Sequence, residues 1–114
     1  MRRGVVVCVG VALALQLPAC GGASLTVVSS PAAFLVITAD SDAIVGLKPR
    51  IQQEVASLGA PGEHLVDGDH HAGNHVCGFS AAKGGQTYQV DVYGDAPAEA
   101  CDTARQQSFT NNLP

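Results

Sequence analysis

Three of the four histidines of this chain lie with two aspartates in residues 67–75, and His64 lies just before them. Imidazole nitrogens bind Zn²⁺, Cu²⁺ or Ni²⁺, and two glycines in the segment would let several donors converge. The pattern therefore indicates a candidate metal site made of His70, His71, His75 and Asp69. Because the spacing is permissive for metal rather than diagnostic of it, we favour the alternative of a polar loop with solvated histidines.

Other catalytic and ligand-binding patterns fail on inspection. A calcium loop beginning at Asp67 would place Ala72 where glycine is required and Gly78 where the closing glutamate belongs. No serine lies in a Gly-x-Ser-x-Gly elbow, and the Gly84-Gly85 pair lacks the lysine and serine of a phosphate-binding loop. We therefore expect a protein without catalytic activity and without a cofactor.

The N-terminus has the layout of a secretory signal. Arg2 and Arg3 precede an apolar run over residues 5–17, whose 13 residues fall short of the roughly 20 that span a bilayer as a helix. Residues 17–20, Leu-Pro-Ala-Cys, resemble the lipobox of bacterial lipoproteins, in which the signal is cut before a cysteine that carries lipid. Lipidation of Cys20 is therefore predicted. Cleavage after Ala23, which would release a soluble protein, is the alternative.

The cysteines indicate one disulfide bond. Cys8 would leave with the signal peptide, and Cys20 would be lipidated or discarded, so one pair remains. Neither Cys77 nor Cys101 lies in a Cys-x-x-Cys motif or beside a basic residue that would lower its thiol pKa. A bond between Cys77 and Cys101 is therefore predicted, and it fits an oxidising compartment.

These features divide the chain into residues 1–19 as signal peptide, 20–31 as lipidated cysteine and tether, and 32–114 as one small domain. The expected mature chain from Cys20 has 95 residues, and 4 basic against 10 acidic residues give it a net charge of −6. So acidic a chain is a poor partner for nucleic acid. We expect it on the extracytoplasmic face of the cell membrane, attached through lipid at Cys20.

Hydrophobic periodicity predicts the elements that position these residues. Residues 33–39 are an apolar, β-branched run typical of a central strand, and residues 86–93 alternate between a buried and a wet face. The remaining predicted elements are two helices, 49–58 and 97–109, and two short strands, 64–66 and 75–79. This order predicts an α+β domain, with one or two helices packed on one face of a small antiparallel sheet and a disulfide between helix and sheet.

Four stretches of the C-terminal half carry a family resemblance. They are residues 75–79 (His-Val-Cys-Gly-Phe), 88–92 (Tyr-Gln-Val-Asp-Val), 100–105 (Ala-Cys-Asp-Thr-Ala-Arg) and the terminal Leu-Pro. With the lipobox-like start, this half resembles small mycobacterial or actinobacterial exported lipoproteins of unknown function. The resemblance implies an exported, lipid-anchored protein and supplies no catalytic residues.

We therefore predict a binding or interaction module at the membrane surface, whose partner is an envelope protein or a small ligand. Metal binding by the histidines of residues 64–75 is the alternative. No motif bears on a lipid-carrier function, which would require an apolar cavity between helix and sheet.

Overall fold

The computed structural model describes residues 22–58 and 63–114. The predicted signal peptide and Cys20 lie outside the described residues. The described elements follow one another as β1 (Gly22–Ser30), β2 (Ala33–Asp40), α1 (Ser41–Leu58), β3 (His64–Asp67), β4 (His75–Lys83), β5 (Gln86–Gly94), a 3₁₀ helix (Ala98–Cys101) and α2 (Thr103–Asn111).

The strands form one five-stranded sheet in the order β3-β1-β2-β5-β4, in which every neighbouring pair is antiparallel. Residues of α1 and α2 join the same apolar core on one face of this sheet. The predicted α+β class, with helices packed on one face of an antiparallel sheet, is therefore confirmed. No helix in residues 22–58 and 63–114 is long and apolar enough to cross a membrane.

Strand β1 corrects the prediction of a tether over residues 20–31. It is hydrogen-bonded to β2 on one side and to β3 on the other, so it is an interior strand of the sheet. Leu25 and Val27 point into the core and are 0% and 8% exposed. The glycine and serine content of this segment suggested a linker, but the alternating apolar residues between them bury enough surface to fix a strand.

Strand β2 is the central strand, as predicted from its β-branched run. Because successive side chains of a strand point to opposite faces, Val36 and Ile37 face opposite sides of the sheet. They are 2% and 0% exposed, so this strand is buried on both faces at its middle.

Helix α1 begins at Ser41, eight positions before the predicted start at Pro49. The Asp40 side chain accepts a hydrogen bond from the backbone N–H of Ala43 and so caps the first turn. Pro49 lies inside the helix on its solvent side. The carbonyl that loses its helical donor there belongs to Val45, on a side of the helix where both Val45 and Pro49 are exposed.

The C-terminal region is built from two short helices rather than the predicted single helix over residues 97–109. Asp102 is extended (φ −70°, ψ 170°), which ends the 3₁₀ helix, and its carboxylate caps α2 by accepting from the N–H of Arg105. Leu113, two residues after the end of α2, is 1% exposed in the core. The Lys83 ammonium donates to its carbonyl oxygen and holds this end against β4.

The predicted disulfide is present. Cys77 on β4 and Cys101 on the 3₁₀ helix are bonded, with their Cα atoms 6.2 Å apart. Cys101 therefore precedes the last helix rather than lying on it. The bond ties the C-terminal region to the edge strand of the sheet.

Candidate functional site

Residues 68–74, which we call the crossing loop, lie over the sheet face opposite the helices. At one end the Gly68 N–H donates to the Ser24 carbonyl of β1, and at the other the Asn74 carbonyl accepts from the Gly94 N–H at the end of β5. Strand β2 lies between β1 and β5, so the loop passes over it. This explains why Val36, on that face, is almost fully buried.

Two of the predicted metal ligands contact Tyr93 instead of sharing a site. The His71 ring stacks on the Tyr93 ring with centroids 3.5 Å apart and planes 12° from parallel, and the His75 ring meets it edge-on at 5.2 Å. Burial raises the pKa of Tyr93, and the nearby carboxylates of Asp91 and Asp69 raise it further. The phenol is therefore neutral at physiological pH.

Each of the three predicted histidine ligands has its own partner. His75 Nε2 lies 2.9 Å from Asp91 Oδ1, and His71 Nε2 lies 3.5 Å from Asp69 Oδ1. His70 is fixed through its backbone, whose N–H donates to Thr26 Oγ1 at 3.0 Å. In the described part of the chain, no three or more His, Cys, Asp or Glu side chains form a group that could hold a metal ion. In this structure the His71 and His75 rings pack on Tyr93, and each lies beside its own aspartate.

A second candidate site lies on the face that carries the helices. Helix α1 packs over β1, β2 and β3, whereas α2 packs on β4, and between them is a cleft of about 220 Å³. Apolar side chains from the sheet form its floor and side chains of both helices form its walls. These residues are Val27, Leu35 and Phe79 below, with Ile51, Val55 and Phe109 at the sides.

Three charged side chains also line this cleft. Glu54 comes from α1, Glu63 from the residue preceding β3, and Arg105 from α2. No ion pair joins Arg105 to Glu63 among the described residues. One carboxylate oxygen of Glu63, Oε1, is buried without a hydrogen-bond partner in the part of the chain that the structure describes. An apolar cleft with few polar groups is the usual form of a small-molecule site.

None of the cleft residues was predicted from the sequence to bind a ligand. Apolar residues that line a cleft and apolar residues that fill a core follow the same periodicity, so the pattern cannot separate them. Glu63 follows Pro61-Gly62 and would be read as a solvated loop residue. Only the gap between two helices that pack on different strands identifies the site.

Comparison of the chain with protein-family models, with curated proteins and with solved structures finds no match. The class of the protein is therefore defined by its fold and cleft alone: an α+β domain whose helices leave an apolar cleft over one face of an antiparallel sheet.

Proposed function

We propose that this chain is a lipid-anchored protein of the cell envelope that binds a small amphipathic ligand in the cleft between α1 and α2. The single observation that carries the proposal is the cleft itself, a concave site of about 220 Å³ whose floor and walls are mainly apolar. The proposal assigns the protein no catalytic activity.

Anchoring is supported by the lipobox-like residues 17–20 behind a short apolar run. A disulfide between Cys77 and Cys101 is consistent with an exported protein, because such bonds persist in oxidising compartments. The lipid at Cys20 would hold the domain at the extracytoplasmic face of the membrane.

The size of the cleft limits the ligand. Sites for drug-sized molecules measure roughly 300–1,000 Å³, so this cleft holds either a small molecule or one apolar chain or ring of a larger one. An apolar group that leaves water for such a cleft gains about 0.8 kcal/mol for each buried methylene. We therefore expect weak binding of short single-chain amphiphiles that improves with chain length.

The test is binding of 1-hexanol to the exported chain in phosphatidylcholine nanodiscs, with empty nanodiscs used to correct the free ligand concentration. The Ile51 methyl signal, which reports on the cleft wall, should shift saturably, while that of Ile37, fully buried in the core, should not. Ala100 lines the cleft, so Ala100→Phe should weaken binding at least about tenfold by filling it.

Ala98→Phe is the matched control, because Ala98 lies on the same 3₁₀ helix but is exposed and outside the cleft. It should bind hexanol as the unmodified chain does. The proposal is overturned if hexanol produces no saturable shift at Ile51, or if Ala100→Phe and Ala98→Phe bind it equally well.

A further inference from the structure

Glu63 occupies an unusual position in the molecule. Its side chain lines the cleft between the helices and also two adjoining cavities, one beside α1 and β3 and one beside the start of β2. Its Oε1 atom is shielded from solvent, and within residues 22–58 and 63–114 no group donates a hydrogen bond to it. Glu63 thus places a carboxylate, one oxygen of which has no donor, beside a concave, mainly apolar site.

A buried acceptor without a donor is costly. Leaving a polar group unsatisfied destabilises a structure by about 1–3 kcal/mol, and by more when the group is charged. A ligand that brings a donor to this carboxylate removes that cost as it binds, when the side chain turns the oxygen toward the cleft. An ammonium group does so best, since hydrogen bonds between ionised partners are about twice as strong as neutral ones.

The remaining charges of the cleft favour the same ligand. Glu54 adds a second carboxylate to the lining, against one cation, Arg105. Arg105 is exposed, so water hydrates its guanidinium group and screens its attraction for an anion. Two carboxylates and one guanidinium group thus line the apolar surface, and of the three residues Glu63 is the one that is half-buried rather than exposed.

We propose that the cleft selects amphiphiles whose polar end is a hydrogen-bond-donating ammonium group, bound by the carboxylate of Glu63 while the apolar part packs on Leu35, Phe79 and Phe109. This inference rests on the proposed function, since it names the class of ligand for the same cleft. Glu63 is the specificity-determining residue, and the apolar lining supplies affinity common to all amphiphiles.

The test compares four ligands with the same six-carbon chain at neutral pH: hexylamine, hexanol, hexyltrimethylammonium and hexanoate. Binding is followed at the Ile51 methyl signal of the exported chain in nanodiscs. Hexylamine should bind about tenfold more tightly than hexanol, a difference that corresponds to about 1.4 kcal/mol. Hexyltrimethylammonium carries the charge but no N–H donor, so it should bind more weakly than hexylamine.

Variants of Glu63 and Glu99 test which carboxylate causes the preference for hexylamine. Glu63→Gln should bring hexylamine to within about twofold of hexanol, and Glu63→Asp should retain part of the preference. Glu99→Gln is the matched control, because it removes an exposed carboxylate on the 3₁₀ helix that does not line the cleft. It should keep the full preference for hexylamine.

The outcomes separate this inference from the proposed function. Equal binding of hexylamine, hexanol and hexyltrimethylammonium would overturn the inference and leave the cleft as a ligand site. Tightest binding of hexanoate, lost in Arg105→Gln, would overturn it in favour of an anionic ligand. If none of the four ligands binds, or if the chain forms a dimer that covers Ile51, the proposed function itself is overturned.

Discussion

The Thr26 hydroxyl on β1 donates a hydrogen bond of 2.7 Å to the carbonyl of Gly68, the first residue of the crossing loop. The same oxygen accepts the N–H of His70 at 3.0 Å. Thr26 is fully buried, and it is the buried polar residue of the described core. One hydroxyl group thus satisfies two backbone groups of a loop that lies 42 residues further along the chain.

Replacing this hydroxyl should loosen the crossing loop. Thr26→Val keeps the shape of the side chain but leaves the Gly68 carbonyl and the His70 N–H without their partner, so we expect a loss of about 1–3 kcal/mol in the free energy of unfolding. Thr26→Ser retains the hydroxyl and is the control. Urea unfolding measures both, and equal stabilities of the two variants would contradict the expected role of these bonds.

The disulfide should be a major source of stability. Cys77 and Cys101 are 24 residues apart, and closing a loop of this length stabilises the native state by about 3–4 kcal/mol in the chain-entropy model. Cys101→Ala should lower the melting temperature and leave Cys77 reactive with a thiol reagent. Two reactive thiols at positions 77 and 101 of the unreduced protein purified from cells would show that the bond does not form there.

Gly94 should tolerate no side chain. Its φ is +89°, and a Cβ atom there would overlap the carbonyl oxygen of Ala32. Gly85 has a similar φ of +83° but open space around it, so Gly85→Ala carries the backbone strain without the clash. Gly94→Ala should be at least about 2 kcal/mol less stable than Gly85→Ala in urea unfolding. Equal stabilities would mean that the Ala32 segment moves aside at little cost.

The two tyrosines should titrate above their ordinary pKa of 10.0. Burial raises the pKa of Tyr88, with a further contribution from Asp40, and burial with Asp91 and Asp69 raises that of Tyr93. A tyrosine whose pKa is raised in the folded state contributes stability that is fully present below pH 10. This contribution is lost as the pH rises through the pKa of the folded state.

The tyrosinate absorbance of Tyr88→Phe and Tyr93→Phe should isolate each titration, since the chain has two tyrosines and no tryptophan. Each remaining phenol should ionise above the value found in the urea-unfolded chain. A midpoint in the folded protein at or below the unfolded one, in either variant, would contradict the packing described for that ring.

Lipidation at Cys20 remains a prediction, because Cys20 lies outside the described residues. Mass spectrometry of the exported protein should find an N-terminal peptide that begins with an acylated Cys20. Cys20→Ser should abolish the modification and release the protein from the membrane fraction, because stable anchoring requires two or more acyl chains. An unmodified peptide beginning after Ala23 would establish the alternative cleavage.

The sequence predicted the parts of this fold that depend on local pattern. The alternation of Tyr88, Val90 and Val92 and the buried run through Ile37 gave the correct strands, and all four residues are buried in the structure. The pair Cys77 and Cys101 followed from counting cysteines. The strand predictions required only knowledge of which side of the sheet each residue faces.

The errors arose where tertiary packing overrode local composition. Strand β1 is stabilised by pairing with a strand on each side. Its glycine and serine content, taken alone, suggested a tether. The predicted start of α1 at Pro49 missed the Asp40 cap, since proline can also lie on the solvent side of a helix. The cleft and Glu63 depend on where two helices leave a gap, which no local pattern encodes.

The early start of β1 has a mechanical consequence for an anchored protein. Strand β1 begins at Gly22, two positions after Cys20, so lipid at Cys20 would be joined to the sheet almost directly. Val27, on the cleft floor, lies five residues further along β1, which is about 17 Å at about 3.3 Å per residue. The domain would then stand on the bilayer with limited freedom to tilt. Its cleft floor would then lie within about 17 Å of the lipid-bearing end of the sheet, so the ligand would be bound close to the membrane surface.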